Sequence, residues 1–240
     1  IWGNSRAVLV GDFCLARASG MIVEDGDLEI LWIFANTIGL MSEGELLQLQ
    51  RSFDSSVTEA HYYGVIDRKS AALISAASEA GAILGGVTRP ERRRLAEFGR
   101  EMGLAFQLRD DALDYSADEE VLGKQPYTDL REGKVTLPLL MTLKRCTSAE
   151  RDAVDVVLKA ASNRLAELQG EGLLTPESVI APRDLELVLE LIERHRGVED
   201  TNRRAEQHVD RAAAAIAPFP DCPAKEALLA AADYAVDRAY

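Results

Sequence analysis

Cysteine, histidine and aromatic residues are scarce in this 240-residue chain, and each scarcity excludes something. Cys14, Cys146 and Cys222 are an odd number, far apart, with no CxxC and no Cys/His ligand spacing. They predict neither a disulfide framework nor a zinc site, and they suit a reducing cytoplasm. His61, His195 and His208 are equally scattered and read as surface or core histidines rather than ligands. Aromatics are only 6% of the chain, and β-branched clusters bounded by Gly and Pro are missing, which argues against strands. No basic run offsets the formal net charge of −13, so a nucleic-acid backbone would be repelled over most of the surface. No hydrophobic run is long enough to read as a transmembrane segment. Residues 70–88 carry only Glu79 as a formal charge, but Ala, Ser and Gly dominate there, and Gly85-Gly86 closes the run. The expectation is a buried core helix. No secretory signal is evident. The chain opens with Ile1 in what reads as mid-domain sequence, so an upstream portion is expected.

What the chain has is Ala and Leu. Apolar residues make up 47%, spaced as amphipathic helices. Helices are expected over 4–23, 28–50, 58–83, 90–115, a segment capped by Thr136 and running through "LPLLMTLKRC", and then 148–169, 183–197, 198–217 and 223–239. Asp25-Gly26-Asp27, Gly170-Glu171-Gly172 and the prolines at 218, 220 and 223 punctuate them. In 58–83, Tyr62, Val65, Ile66, Leu73, Ala76 and Ala80 share one face with Lys69 in its middle. A polar stretch, 116–133, reads as a loop or broken helix. The whole is an all-α, single-domain helical bundle over 1–240 with one charged rim.

Chemistry enters at "FQLRDDALDY", residues 106–115. On a helix Gln107, Asp110, Asp111 and Asp114 fall within an arc of roughly 100°. Acidic pairs are common on solvated helix faces, but Leu104, Ala105, Phe106, Leu108, Ala112 and Leu113 leave little room for a broad wet face here. Gly99 and Gly103 extend the same stripe, at about 1 kcal/mol each relative to alanine, which suggests close approach of something. Like charges so crowded call for a cation, and hard cations take oxygen ligands. Mg²⁺ fits: it uses one or two carboxylates, keeps waters and completes its shell with phosphate oxygens.

A phosphate needs cationic partners. Lys69 on its apolar face is either a snorkelling side chain or an anion ligand. Lys124 and Lys134 each follow a glycine in "LGKQPYTDLREGKVTLP", which alone is an ordinary polar surface loop. The second Gly-Lys stands just before the helix start at Thr136, where free N–H groups favour an anion.

With these residues assembled, the chain resembles the trans-isoprenyl (polyprenyl) diphosphate synthase family along nearly its whole length. The resemblance is carried by "GNSRAVLVGDFCLARA", "SEGELLQLQ", "YYGVIDRKSAALISAA", "GLAFQLRDDALDY", "GKQPYTDLREGKVTLPLL" and "ALLAAADYAVDRAY". Terpene cyclases share aspartate-rich helices but not the lysine-bearing segment. The resemblance implies an isoprenoid-synthase bundle whose central cavity has an aspartate-rich and lysine-bearing rim. It implies a Mg²⁺-dependent prenyltransferase: an allylic prenyl diphosphate ionises, isopentenyl diphosphate adds through its C4 double bond, and a proton is lost. Asp110 would be the direct metal ligand, with Asp111 and Asp114 acting through waters. Lys69 and Lys134 would grip the allylic diphosphate with Lys124 beside them. Ser70 stands where the family usually has Thr, and Gln107 would face the reacting carbons or the diphosphate.

The family's first DDxxD motif and its isopentenyl-diphosphate-gripping residues belong upstream of Gly3-Asn4. On this reading the domain is N-terminally incomplete and inefficient alone. "MSEGELLQLQ" resembles long-chain octaprenyl and decaprenyl synthases that make quinone side chains. A homodimer is implied by the same resemblance. A non-catalytic subunit of a heteromeric synthase is the competing expectation, and an acidic helical interaction protein without ligand is a third.

Overall fold

The structure is a computed structural model that describes residues 3–116, 126–170 and 179–238. Its regular structure is helical throughout: α1 (Asn4–Asp25), α2 (Leu28–Gln50), α3 (Glu59–Ile66), a π-helical turn (Asp67–Ala71), α4 (Ala72–Leu84), α5 (Arg89–Ser116), α6 (Thr128–Arg131), α7 (Leu137–Arg145), α8 (Ser148–Gly170), α9 (Pro182–Arg194), α10 (Gly197–Ile216) and α11 (Pro223–Asp237).

Helix starts follow the side chains that satisfy their free N–H groups. Asp27 Oδ1 accepts from the backbone N–H of Glu29 (2.8 Å) and Ile30 (3.0 Å), and Thr58 Oγ1 from that of His61 (3.1 Å). Thr147 and Glu150 cap each other at the start of α8, with Glu150 Oε2 accepting from Thr147 N at 2.8 Å and Thr147 Oγ1 bonding Glu150 N at 3.3 Å. Proline opens α7, α9 and α11, where its missing N–H costs nothing. Thr136 does occupy the N-cap position of α7, but its hydroxyl makes no capping bond, so Pro138 in the first turn carries more of that start than expected.

α5 is the central element. It packs against α10 on one side and against α4 and the π turn on the other, while α11 packs along it through Leu95, Phe98, Met102 and Ala105. Its aspartates therefore project from the middle of the bundle. Leu104, Leu108, Leu137, Leu139, Val154, Leu158 and Val188 form the larger core, and Phe98, Ala105, Ala212 and Ile216 a second one. A buried pair, Glu101 Oε2 to His208 Nδ1 at 2.7 Å, ties α5 to α10.

The glycine stripe on α5 has a different cause from the one expected. A Cβ at Gly103 would lie 2.6 Å from Ala71 Cα, and one at Gly99 would lie 2.6 Å from Ile74 O and 2.4 Å from Ser78 Oγ. The thing that approaches closely is α4 and its π turn, not a ligand. Gly103→Ala should therefore cost about 1–3 kcal/mol in a denaturant titration, because backbone must move. Gly81→Ala, on α4 with nothing within 4 Å, should be neutral or up to about 1 kcal/mol stabilising. Equal effects at both positions would refute the packing argument.

The expected single helix over 58–83 is interrupted by that π turn. One wider turn rotates everything beyond it. Ala71 is fully buried, whereas Leu73 is 46% exposed and so leaves the face that Tyr62, Val65 and Ile66 occupy. α4 is accordingly half-exposed, with only Ala82 fully inside, rather than the buried core helix its composition suggested. Among the described residues, no helix is long and apolar enough to cross a membrane.

Candidate functional site

The last two turns of α5 present their acids in different ways. Asp111 is 3% exposed: Tyr62 of α3 donates its hydroxyl to Oδ2 at 2.5 Å, and Gln107 donates Nε2–H to Oδ1 at 2.8 Å. The Ser70 hydroxyl, from the π turn, donates to Gln107 Oε1 at 2.5 Å. A continuous polar row, Tyr62–Asp111–Gln107–Ser70, thus crosses from α3 to α5 to the π turn. The π turn matters here, because it seats Ser70 against Gln107 while Gly103 lets Ala71 close on α5.

Asp114 is 1% exposed, and its Oδ2 accepts from the backbone N–H of Asp129 at 2.9 Å, holding the start of α6. Asp110 is the accessible one. Its side chain is 48% exposed, with Arg238 Nη2 at 3.5 Å from Oδ1. Arg238 itself lies over the Phe106 ring, 3.8 Å from its centroid, and donates to Phe106 O at 3.0 Å.

The lysines approach from the other wall. Lys134 Nζ is 3.1 Å from Asp129 Oδ1 and 2.7 Å from Glu132 Oε2. Lys69 Nζ donates to Gln48 Oε1 at 2.9 Å and pairs with Glu45 Oε1 at 2.9 Å, both on α2. Gln48, Tyr62 and Lys134 line one small space of about 20 Å³, room for a single water. Lys69 therefore reaches the Lys134 side through Gln48, and Lys134 reaches the aspartates through Asp129. Lys124 lies outside the described residues.

The electrostatics follow from burial. Desolvation, and then repulsion from Asp129, push the Asp111 carboxyl up to about 8, against the bonds from Tyr62 and Gln107 that pull it down. Burial likewise raises the Tyr62 phenol, and Asp111 beside it adds to that. Burial lowers Lys134, but attraction to Asp129 and the bonds to Glu132 and Asp129 outweigh it, so its net shift is upward and it stays an ammonium. Acid crowding of this kind is relieved by a cation held on the open side, where Asp110 stands. The donor set is oxygen alone, which fits Mg²⁺ or another hard divalent ion.

Several residues of this site escaped the sequence reading. Asp129 was hidden in a polar stretch. Tyr62 was read only as a core residue, and Gln48 and Glu45 only as parts of a matching segment. Arg238 gave no local signal. A further surprise lies elsewhere: Cys146 and His195 come together with Glu150, which their separation in sequence had argued against.

Comparison with known proteins bears on what this arrangement is for. The sequence profile of the Polyprenyl synthetase family matches residues 1–170. The chain belongs to that family. It is similar to the octaprenyl diphosphate synthase of Escherichia coli strain K12, with 39% identity over 237 residues, which span 99% of this chain and 68% of that protein. It is also similar to a short chain isoprenyl diphosphate synthase of Methanothermobacter thermautotrophicus, at 34% identity over 99% of this chain and 69% of that one. Among solved structures, it superposes with a TM-score of 0.83 and 39% identity on a polyprenyl synthase of Caulobacter crescentus CB15 complexed with calcium and isoprenyl diphosphate. That match covers all of this chain and 68% of the other. Its all-α architecture is thus the polyprenyl synthetase fold, and the family is one of trans-prenyltransferases.

Proposed function

We propose that this chain belongs to a polyprenyl diphosphate synthase that condenses isopentenyl diphosphate with an allylic prenyl diphosphate, and that the Asp110–Lys134 rim holds the allylic diphosphate. The observation that carries this reading is the buried Asp111, braced by Tyr62 and Gln107 and facing the Asp129–Lys134 pair. A structural partner has no physical need to bury Asp111 and Asp114 beside the Asp129–Lys134 pair. No observation favours the non-catalytic subunit.

In this reading Asp110, exposed and at the rim, would hold Mg²⁺ directly, and Asp111 and Asp114 would support it through waters, with Asp129 joining them. Mg²⁺ held there would supply positive charge for the departing diphosphate. Lys134 and Lys69 supply fixed ammonium groups for the same charge, Lys124 is placed beside them by the resemblance, and Ser70 orients Gln107 toward the reacting end. Such groups act by holding the transition state more tightly than the ground state. The calcium and isoprenyl diphosphate in the Caulobacter protein support a divalent cation and a diphosphate at this kind of site.

The chain spans 68% of the E. coli protein's length. A long-chain product for a quinone side chain is the reading of "SEGELLQLQ". Val8, Leu9 and Phe13 of α1 and Trp32 of α2 are each more than 60% exposed, and a second copy of the chain would cover them in a homodimer. A cytoplasmic location suits the free cysteines and the lack of a spanning helix among the described residues.

The deciding experiment uses protein made from the complete gene. It is incubated with isopentenyl diphosphate, an allylic primer and Mg²⁺, and the products are separated by chromatography. Elongated prenyl diphosphates are expected; primer and isopentenyl diphosphate recovered intact would overturn the proposal.

A further inference from the structure

Three helix ends meet far from the aspartates. Cys146 follows the last residue of α7, Glu150 lies in the first turn of α8, and His195 follows the last residue of α9. α7 begins just after Lys134, so nine residues at about 1.5 Å per residue separate this junction from the diphosphate rim. The ligand atoms of the three side chains lie within 4.8 Å of one another, and no other group of three His, Cys, Asp or Glu among the described residues converges in this way.

The geometry points to a second metal site: we infer that Cys146 Sγ, a carboxylate oxygen of Glu150 and His195 Nε2 form a binding site for a borderline-soft divalent cation of the zinc class. Thiolate, imidazole and carboxylate together select that class over Mg²⁺. The aspartate rim, all oxygen, selects the reverse. Zinc bonds of about 2.0–2.3 Å around a tetrahedron set ligand atoms roughly 3.3–3.8 Å apart, a spacing that His195 Nε2 and Glu150 Oε2, at 3.4 Å, already meet.

The surroundings are those of a held ligand set rather than a chance cluster. His195 Nε2 is shut off from solvent and has no hydrogen bond, its nearest acceptor being Glu150 Oε2 at 3.4 Å. Glu150 is oriented from two directions: Thr147 donates its N–H (2.8 Å) and hydroxyl (2.9 Å) to Oε2, while Arg194 Nη1 lies 3.1 Å from Oε1. Arg145 donates to the His195 carbonyl at 2.6 Å and fixes the backbone that carries the ring. Outer partners of this kind set ligand orientation in metal sites. Thr147 above all keeps Glu150 ionised, while burial raises the Cys146 thiol, so a metal ion must displace the thiol proton on binding. Glu150 and His195 are each partly open, their side chains 22% and 17% exposed, while Cys146 is buried. An ion there would tie the ends of α7, α8 and α9 together.

The test needs only the chain itself. Cys14 and Cys222, both exposed, are first changed to serine so that Cys146 is the sole thiol. Excess Mg²⁺ is added to occupy the oxygen sites, and Co²⁺ is titrated as a spectroscopic stand-in for Zn²⁺. One equivalent should bind with a thiolate-to-cobalt charge-transfer absorption, and Zn²⁺ should displace it. Zn²⁺ should also raise the unfolding midpoint. Cys146→Ser should abolish the absorption, and His195→Gln, at a partly exposed ring, should weaken binding by about 100-fold or more. Absence of the absorption in the parent protein overturns the proposal, and so does an affinity unchanged in His195→Gln. These results are independent of prenyl transfer, which is read at the other end of α7.

Discussion

Replacing Asp110 with alanine is expected to lower turnover by about 10²–10³-fold while leaving the unfolding free energy within about 0.5 kcal/mol of the parent. The separation of the two effects follows from where the side chain sits. Asp110 is half-exposed, and its contact with the largely buried Arg238 is a long one, 3.5 Å, worth little to the fold beside the bond and ring contact that Arg238 makes to Phe106. Its value lies in an ion it would hold during the reaction. Asp111→Ala makes the useful contrast. Tyr62 and Gln107 would lose their buried acceptor, so stability should fall by about 1–3 kcal/mol along with activity. Turnover is measured with isopentenyl diphosphate and an allylic primer, and stability by denaturant titration. Unchanged turnover in Asp110→Ala would remove that residue from the site, and a large loss of stability there would assign it to the fold instead.

Lys134→Ala is expected to reduce kcat/KM for the allylic diphosphate by roughly 30- to 1000-fold, the range of about 2–4 kcal/mol for removing one member of a buried, charge-assisted pair. Two effects add. The ammonium that would meet the diphosphate is gone, and Asp129 is left without its 3.1 Å partner next to an Asp111 that already resists ionisation. Lys144→Ala serves as the control: that lysine pairs with Glu59 on the outside of the bundle, and its loss should leave kcat/KM unchanged. Equal kinetics for Lys134→Ala and the parent would take Lys134 out of the site.

How much of this could be read from residue order depended on the range of the interaction. α2 was expected over Leu28–Gln50 and is found there, because Asp27 caps it locally and an apolar run without proline sustains it. The aspartate helix and the helices after it were legible for the same reason, to within a few residues at their ends. The π turn was not, since it answers to the contact between Ala71 and Gly103 across two helices. The gathering of Gln107, Asp110, Asp111 and Asp114 is a matter of helical period and was visible. The bracing of Asp111 by Tyr62, and the link from Lys134 to Asp114 through Asp129, join segments remote in sequence and emerged only from the packing. The glycine stripe misled by the same logic: its cost was read correctly, but its cause was a neighbouring helix. Cys146 and His195 illustrate the converse, where spacing argued against a pairing that three converging helix ends create.

The most direct test of the central claim is the affinity of inorganic diphosphate for the protein, titrated with and without Mg²⁺ by calorimetry. The account predicts binding at least about tenfold tighter with Mg²⁺, the coupling expected when metal and diphosphate share a site, with that gain lost in Asp110→Ala and the binding itself weakened in Lys134→Ala. Diphosphate binding that ignores Mg²⁺, or that both variants retain in full, would contradict it.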